Sequence, residues 1–79
     1  MEKNNFRFSI GDDPEHEELT AEIYFEEKFV AIISQEKGFE EMKIEIFQKS
    51  NGKPWAFQLN EFLEIIELSK RRLWELRRI

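Results

Sequence analysis

The chain has no cysteine, a single histidine and only three glycines, and none of its 79 residues belongs to an uncharged apolar run that approaches a membrane span. Without cysteine there is neither a disulfide framework nor a thiolate zinc site, and a reducing compartment suits such a chain. Glycines scattered at positions 11, 38 and 52 cannot form a phosphate-cradling loop. The one histidine, His16, falls in a predicted loop of a chain without cysteine, so a base held against a nucleophile is not expected. The opening segment, MEKNNFRFSIGDDPEHEE, lacks the apolar core of a secretory signal. These absences lead to the expectation of a cytoplasmic protein that is not an enzyme and uses no cofactor and no metal.

What the chain does contain is charge and aromatic area. Hydrophobic residues make up 41% of it and charged residues 37%, with eight Phe and two Trp to supply large apolar surfaces. That is enough for a single globular domain, although a domain of this size buries only roughly 60% of its unfolded surface and has little room for an enclosed active site. The charge is uneven. Residues 1–47 hold 13 acidic against 5 basic side chains, net −8, and residues 48–79 hold 4 against 7, net +3. The overall balance of −5 opposes general affinity for nucleic acid and favours a basic protein partner.

Hydrophobic periodicity changes near residue 58. Phe6, Phe8 and Ile10 alternate with Arg7 and Ser9 before Gly11-Asp12-Asp13-Pro14 breaks the pattern, which predicts a strand over about 5–10. Alternation resumes over 19–26, and the nearly continuous apolar stretch 29–35 reads as a central strand covered on both faces. Met42, Ile44 and Ile46 predict a fourth strand over 42–48. Asn51-Gly52 is the strongest tight-turn signal in the chain and predicts that 54–58 returns beside the fourth strand as a fifth. A helix over about 61–77 follows, with Asn60 as its N-cap, acids in its first turn and Lys70, Arg71, Arg72, Arg77 and Arg78 near its end. Its expected apolar stripe is Leu59, Phe62, Leu63, Ile66, Ser69, Leu73 and Leu76, with Ile65, Leu68 and Trp74 off centre. The predicted fold is α+β: a four- to five-stranded antiparallel meander with one C-terminal amphipathic helix on one face, the other face having no cover from the chain itself.

Three groups of residues are candidates for function. Asp12, Asp13, Glu15, His16, Glu17 and Glu18 are rich in potential ligands, but their spacing is neither that of an EF-hand loop nor that of a zinc helix. They read as a solvated acidic loop or as a docking loop for a basic surface. Glu22, Tyr24, Glu26, Lys43, Glu45 and Phe47 fall on exposed strand positions if their apolar alternates face the helix. Aromatics flanked by acids suit an anchor and its rim, and equally suit ordinary cross-strand pairing. Arg71, Arg72, Trp74, Arg77 and Arg78 could bind nucleic acid through phosphate contacts and indole stacking, or could simply complement the helix dipole.

The stretches EIYFEEKFVAIISQEKGFEEMKIEIF and FQLNEFLEIIELSKRRL resemble, in layout, small acidic bacterial proteins of the immunity or antitoxin kind. That resemblance implies a protein that covers the active surface of a basic partner such as a toxin. The meander-plus-helix layout is also similar to single-stranded-DNA-binding transcriptional coactivators, which pair through helices and bind DNA on curved sheets. The acidic sheet half of this chain departs from that second pattern. The leading expectation is therefore a protein-binding module in which Asp12, Asp13, Glu15, Glu17, Glu18, Glu22, Tyr24, Glu26, Glu45 and Phe47 meet a basic partner. The alternative is a nucleic-acid-binding or regulatory homodimer that uses the arginine-rich helix end.

Overall fold

A computed structural model describes residues 5–76. Four strands, β1 (Phe6–Gly11), β2 (Thr20–Phe25), β3 (Lys28–Ser34) and β4 (Lys43–Ile46), form one antiparallel sheet in the order β1-β2-β3-β4. One helix, α1 (Leu59–Glu75), packs on one face of it, so the fold is an α+β meander with a C-terminal helix.

Register assigns each residue to a face. Phe6, Phe8 and Ile10 stand opposite Phe25, Ile23 and Ala21, and Ala21 and Ile23 stand opposite Ile33 and Ala31. These side chains meet Ile65 and Leu73 of α1 to form the core. β3 is central and rich in β-branched residues, and all of Val30 to Ser34 is buried. A register shift at Ile23/Tyr24 leaves Val30 as an extra residue, which resets the alternation so that Phe29 lies opposite Tyr24 on the helix-free face.

The predicted fifth strand does not form. Residues 53–58 have no ladder pairing, and β4 is an edge strand. Asn51-Gly52 does make a turn, with Gly52 at φ 79° and its N–H donating to Lys49 O at 3.0 Å, but no hairpin follows. Pro54 has no N–H to offer a ladder. Trp55 and Phe57 instead turn under the end of the sheet. Phe57 lies 4.8 Å from Phe6, 4.9 Å from Phe25 and 5.3 Å from Phe62 between ring centres. Burial of aromatic area outweighs ladder bonds here, and Trp55 reaches the chain beyond β4 through its side chain: Nε1 donates to Phe47 O at 2.9 Å, and Lys49 Nζ lies 5.3 Å from the ring centre.

The helix also differs in detail from expectation. Its N-cap is Gln58, whose side chain accepts from Glu61 N at 2.9 Å, and Asn60 lies inside the first turn. The buried positions are Ile65, Ser69 and Leu73, flanked by Phe62 and Ile66, so Ile65, expected off the stripe, is in the core. Leu59, Leu63 and Leu76, expected on the stripe, are exposed. Ser69 sits at the centre of the contact. Its hydroxyl donates to Ile65 O at 2.7 Å, so its small side chain is satisfied locally and lets the helix lie close to the sheet along the line from Ile65 to Leu73.

Candidate functional site

On the face opposite α1 the register sets two rows across the strands. Ser9, Glu22, Ile32 and Glu45 form one, and Arg7, Tyr24 and Phe29 begin the other, which Phe47 completes just beyond β4. The second row is a continuous π stripe. The Arg7 guanidinium carbon sits 4.2 Å from the centre of the Tyr24 ring, Tyr24 and Phe29 are 5.5 Å apart, and Phe29 stacks on Phe47 at 5.1 Å. Phe29 is 39% exposed and Phe47 42%.

Carboxylates rim this stripe. Glu22 accepts from the Tyr24 hydroxyl at 3.0 Å, which with partial burial pushes the phenol pKa up and fixes the ring's orientation. Glu26 and Glu27 form the β2–β3 turn with φ of 51° and 67°, a left-handed conformation that costs roughly 1–2 kcal/mol per ordinary residue. Arg7 donates to both Glu27 carboxylate oxygens at 2.9–3.0 Å, holding that carboxyl below its usual range and its own pKa above the usual one. Asn5 donates to the Glu26 carboxylate at 3.3 Å, and its carbonyl accepts from Glu26 N. The strained turn is therefore tied down on both sides by the chain segment that opens β1.

The expectation that this whole face lacks intrachain cover needs correction. Thr20, Ile32 and Ser34 point to it, yet all are buried. The acidic loop between β1 and β2 folds back over that end and is pinned there. His16 Nδ1 pairs with Glu36, Glu17 N donates to the other Glu36 oxygen at 3.1 Å, and Gln35 Nε2 donates to Leu19 O at 3.0 Å. The Glu36 carboxylate hydrogen bond, aided by Asp13 and Glu45, raises the His16 pKa, and His16 lowers that of Glu36. Asp12, Glu15 and Glu17 are exposed and Asp13 and Glu18 half-buried, so the loop adds negative potential at the end of this face away from the stripe. His16 is engaged by a carboxylate, and among the described residues no three His, Asp or Glu side chains are grouped to hold a metal ion.

Of the residues singled out from sequence, Glu22, Tyr24, Glu45 and Phe47 share one face, Glu26 lies at its rim, and the 12–18 loop borders the opposite end. Arg7 and Phe29 were missed. Their signal is the two-residue spacing between Phe25 and Lys28: a tight turn there forces Tyr24 against Phe29, and Arg7 against Tyr24 follows from the meander.

The alternative, arginine-rich site is only partly described, because Arg77 and Arg78 lie outside the described residues. Arg72 is bound to Glu75 at 3.2 Å, and Glu67 pairs with Lys70 at 3.6 Å. Trp74 is half-exposed and packs on Phe39 at 4.9 Å. Arg71 and Trp74 line a groove of about 510 Å³ with Phe39, Lys70, Glu40 and Glu67, so its two basic side chains are matched by two acidic ones. Among the described residues no helix is long and apolar enough to cross a membrane. No protein-family model, curated protein or solved structure matches this chain.

Proposed function

We propose that the chain is a non-enzymatic protein-binding module that sets its acid-rimmed aromatic face on a basic site of a partner protein, in the manner of an immunity or antitoxin protein. The observation that carries this reading is the Arg7–Tyr24–Phe29–Phe47 stripe, half-exposed on the face away from the helix and bordered by Glu22, Glu26 and Glu45. Aromatic area supplies affinity with little loss of side-chain freedom, and a carboxylate rim speeds encounter with a basic partner and sets orientation. The arginine already lying on Tyr24 illustrates the chemistry: the ring accepts a guanidinium on its face, as it would a partner's.

The test is capture from the native host with tagged chain at low and moderate salt, followed by measured affinity for any retained basic protein. Glu26→Lys with Glu45→Lys should weaken that complex by at least roughly tenfold while leaving the thermal midpoint nearly unchanged, because both side chains are exposed. Affinity unaltered by the double reversal sinks the proposal. Recovery of nucleic acid alone, released as salt rises and lost in Arg71→Ala with Arg72→Ala, would move the function to the end of α1.

A further inference from the structure

Of the sheet's two edges, β4 is the one at which every residue is exposed. Phe47 N donates to Val30 O at 2.8 Å, in the same register that pairs Glu45 with Ile32 and Lys43 with Ser34. Bonding direction alternates along an antiparallel strand, so these residues bond towards β3, and the main-chain N–H and C=O groups of Ile44 and Ile46 point outward. Among the described residues those outward groups have no hydrogen-bond partner. Their side chains, on the helix-bearing face, are 38% and 55% exposed. Natural edges are blunted by short length, charged side chains, proline, a bulge or a covering segment. β4 has no proline and no register shift, but it is only four residues long and carries Lys43 and Glu45, charges that oppose pairing unless the register matches them.

We propose that β4 pairs antiparallel with β4 of a second copy of this chain about a twofold axis at Ile44, joining two sheets into one. Twofold pairing is isologous and must match outward-bonding residues with each other, so the axis passes through a residue position and only a few registers are open. An axis at Lys43 sets Lys43 against Lys43, and one at Glu45 sets Glu45 against Glu45; directly opposed like charges are destabilising. An axis at Ile46 sets Lys43 against Lys49 and leaves Glu45 facing Phe47. An axis at Ile44 sets Lys43 against Glu45 of the second copy, twice, with Ile44 on Ile44 and Met42 on Ile46. One register thus satisfies the edge hydrogen bonds, pairs both charges and covers both exposed isoleucines. It also carries both aromatic stripes on the same side of the joined sheet, but it does not depend on what those stripes bind.

Sedimentation of the purified chain alone over a concentration series tests the pairing. The mass should move from one chain to two as concentration rises. Lys43→Glu and Glu45→Lys should each weaken association by roughly tenfold or more, since each creates two like-charge oppositions, and the double variant should restore it with the pairs inverted. Ile44→Pro removes an outward N–H without touching the β3 ladder, and should give a folded monomer by circular dichroism. A chain that stays monomeric to its solubility limit, or a dimer that both single charge variants leave intact, overturns the proposal.

Discussion

Thr20 is fully buried on the face covered by the acidic loop, and its hydroxyl has no hydrogen-bond partner among the described residues. A buried, unpaired hydroxyl forfeits its water bonds without compensation. Thr20→Val keeps the shape and the β-branch while removing that cost, and should stabilise the fold by about 1 kcal/mol in urea unfolding. His16 and Glu36 titrate in opposite directions from their ordinary values because each stabilises the other's charge. The imidazole's raised pKa gives a contribution that is complete below its unfolded value and lost as pH rises through its folded one. The carboxylate's lowered pKa gives one that is present above its unfolded value and lost as pH falls through its folded one. The clasp is therefore strongest between the ordinary carboxylate and imidazole ranges. Proton NMR of His16 should titrate above a free imidazole, and Glu36→Gln should return it towards the ordinary value; an unshifted His16 in the unaltered chain would show that the loop is not pinned.

The β2–β3 hairpin carries a further consequence of local chemistry. Two consecutive left-handed residues between paired Phe25 and Lys28 match the tight turn that Asn-Gly favours, yet this chain places Glu26-Glu27 there and its Asn51-Gly52 in a turn that closes no hairpin. Replacing Glu26-Glu27 by Asn-Gly should relieve the strain and raise the thermal midpoint by several degrees despite losing the Arg7 ion pair, since exposed ion pairs contribute little. A midpoint that falls would mean that the ties to Asn5 and Arg7 hold the turn more strongly than backbone preference opposes it. Alternation of apolar residues located β1 to β4 and their meander order, but turn propensity at Asn51-Gly52 added a fifth strand that does not form, and no pattern of period two could register the extra residue at Val30. In α1 the count of apolar residues exceeded one face, so periodicity alone chose Leu59 and Leu63 over Ile65. The contact centres on the small Ser69.

Most of the molecule's aromatic residues fall into two populations that the sequence presents as one. Phe6, Phe25, Trp55, Phe57 and Phe62 form a connected cluster where the sheet, the 53–58 segment and α1 converge, whereas Tyr24, Phe29 and Phe47 line the opposite face. Sequence spacing placed Tyr24 and Phe47 outward correctly but could not separate Phe29 from the apolar run that follows it. The two populations should differ in what they contribute. Phe6 is 7% exposed and touches three other rings, so Phe6→Ala should cost about 3–5 kcal/mol, a large share of the stability available to a chain of this length. Phe47 is 42% exposed and stacks on Phe29 alone, so Phe47→Ser should cost no more than about 1.5 kcal/mol in the same urea titration. Half-exposed phenylalanines that add so little to folding suit the proposed role, in which this surface is covered by a partner. A Phe47→Ser variant as destabilised as Phe6→Ala would instead make the stripe a second small core, and the protein-binding reading would lose its main support.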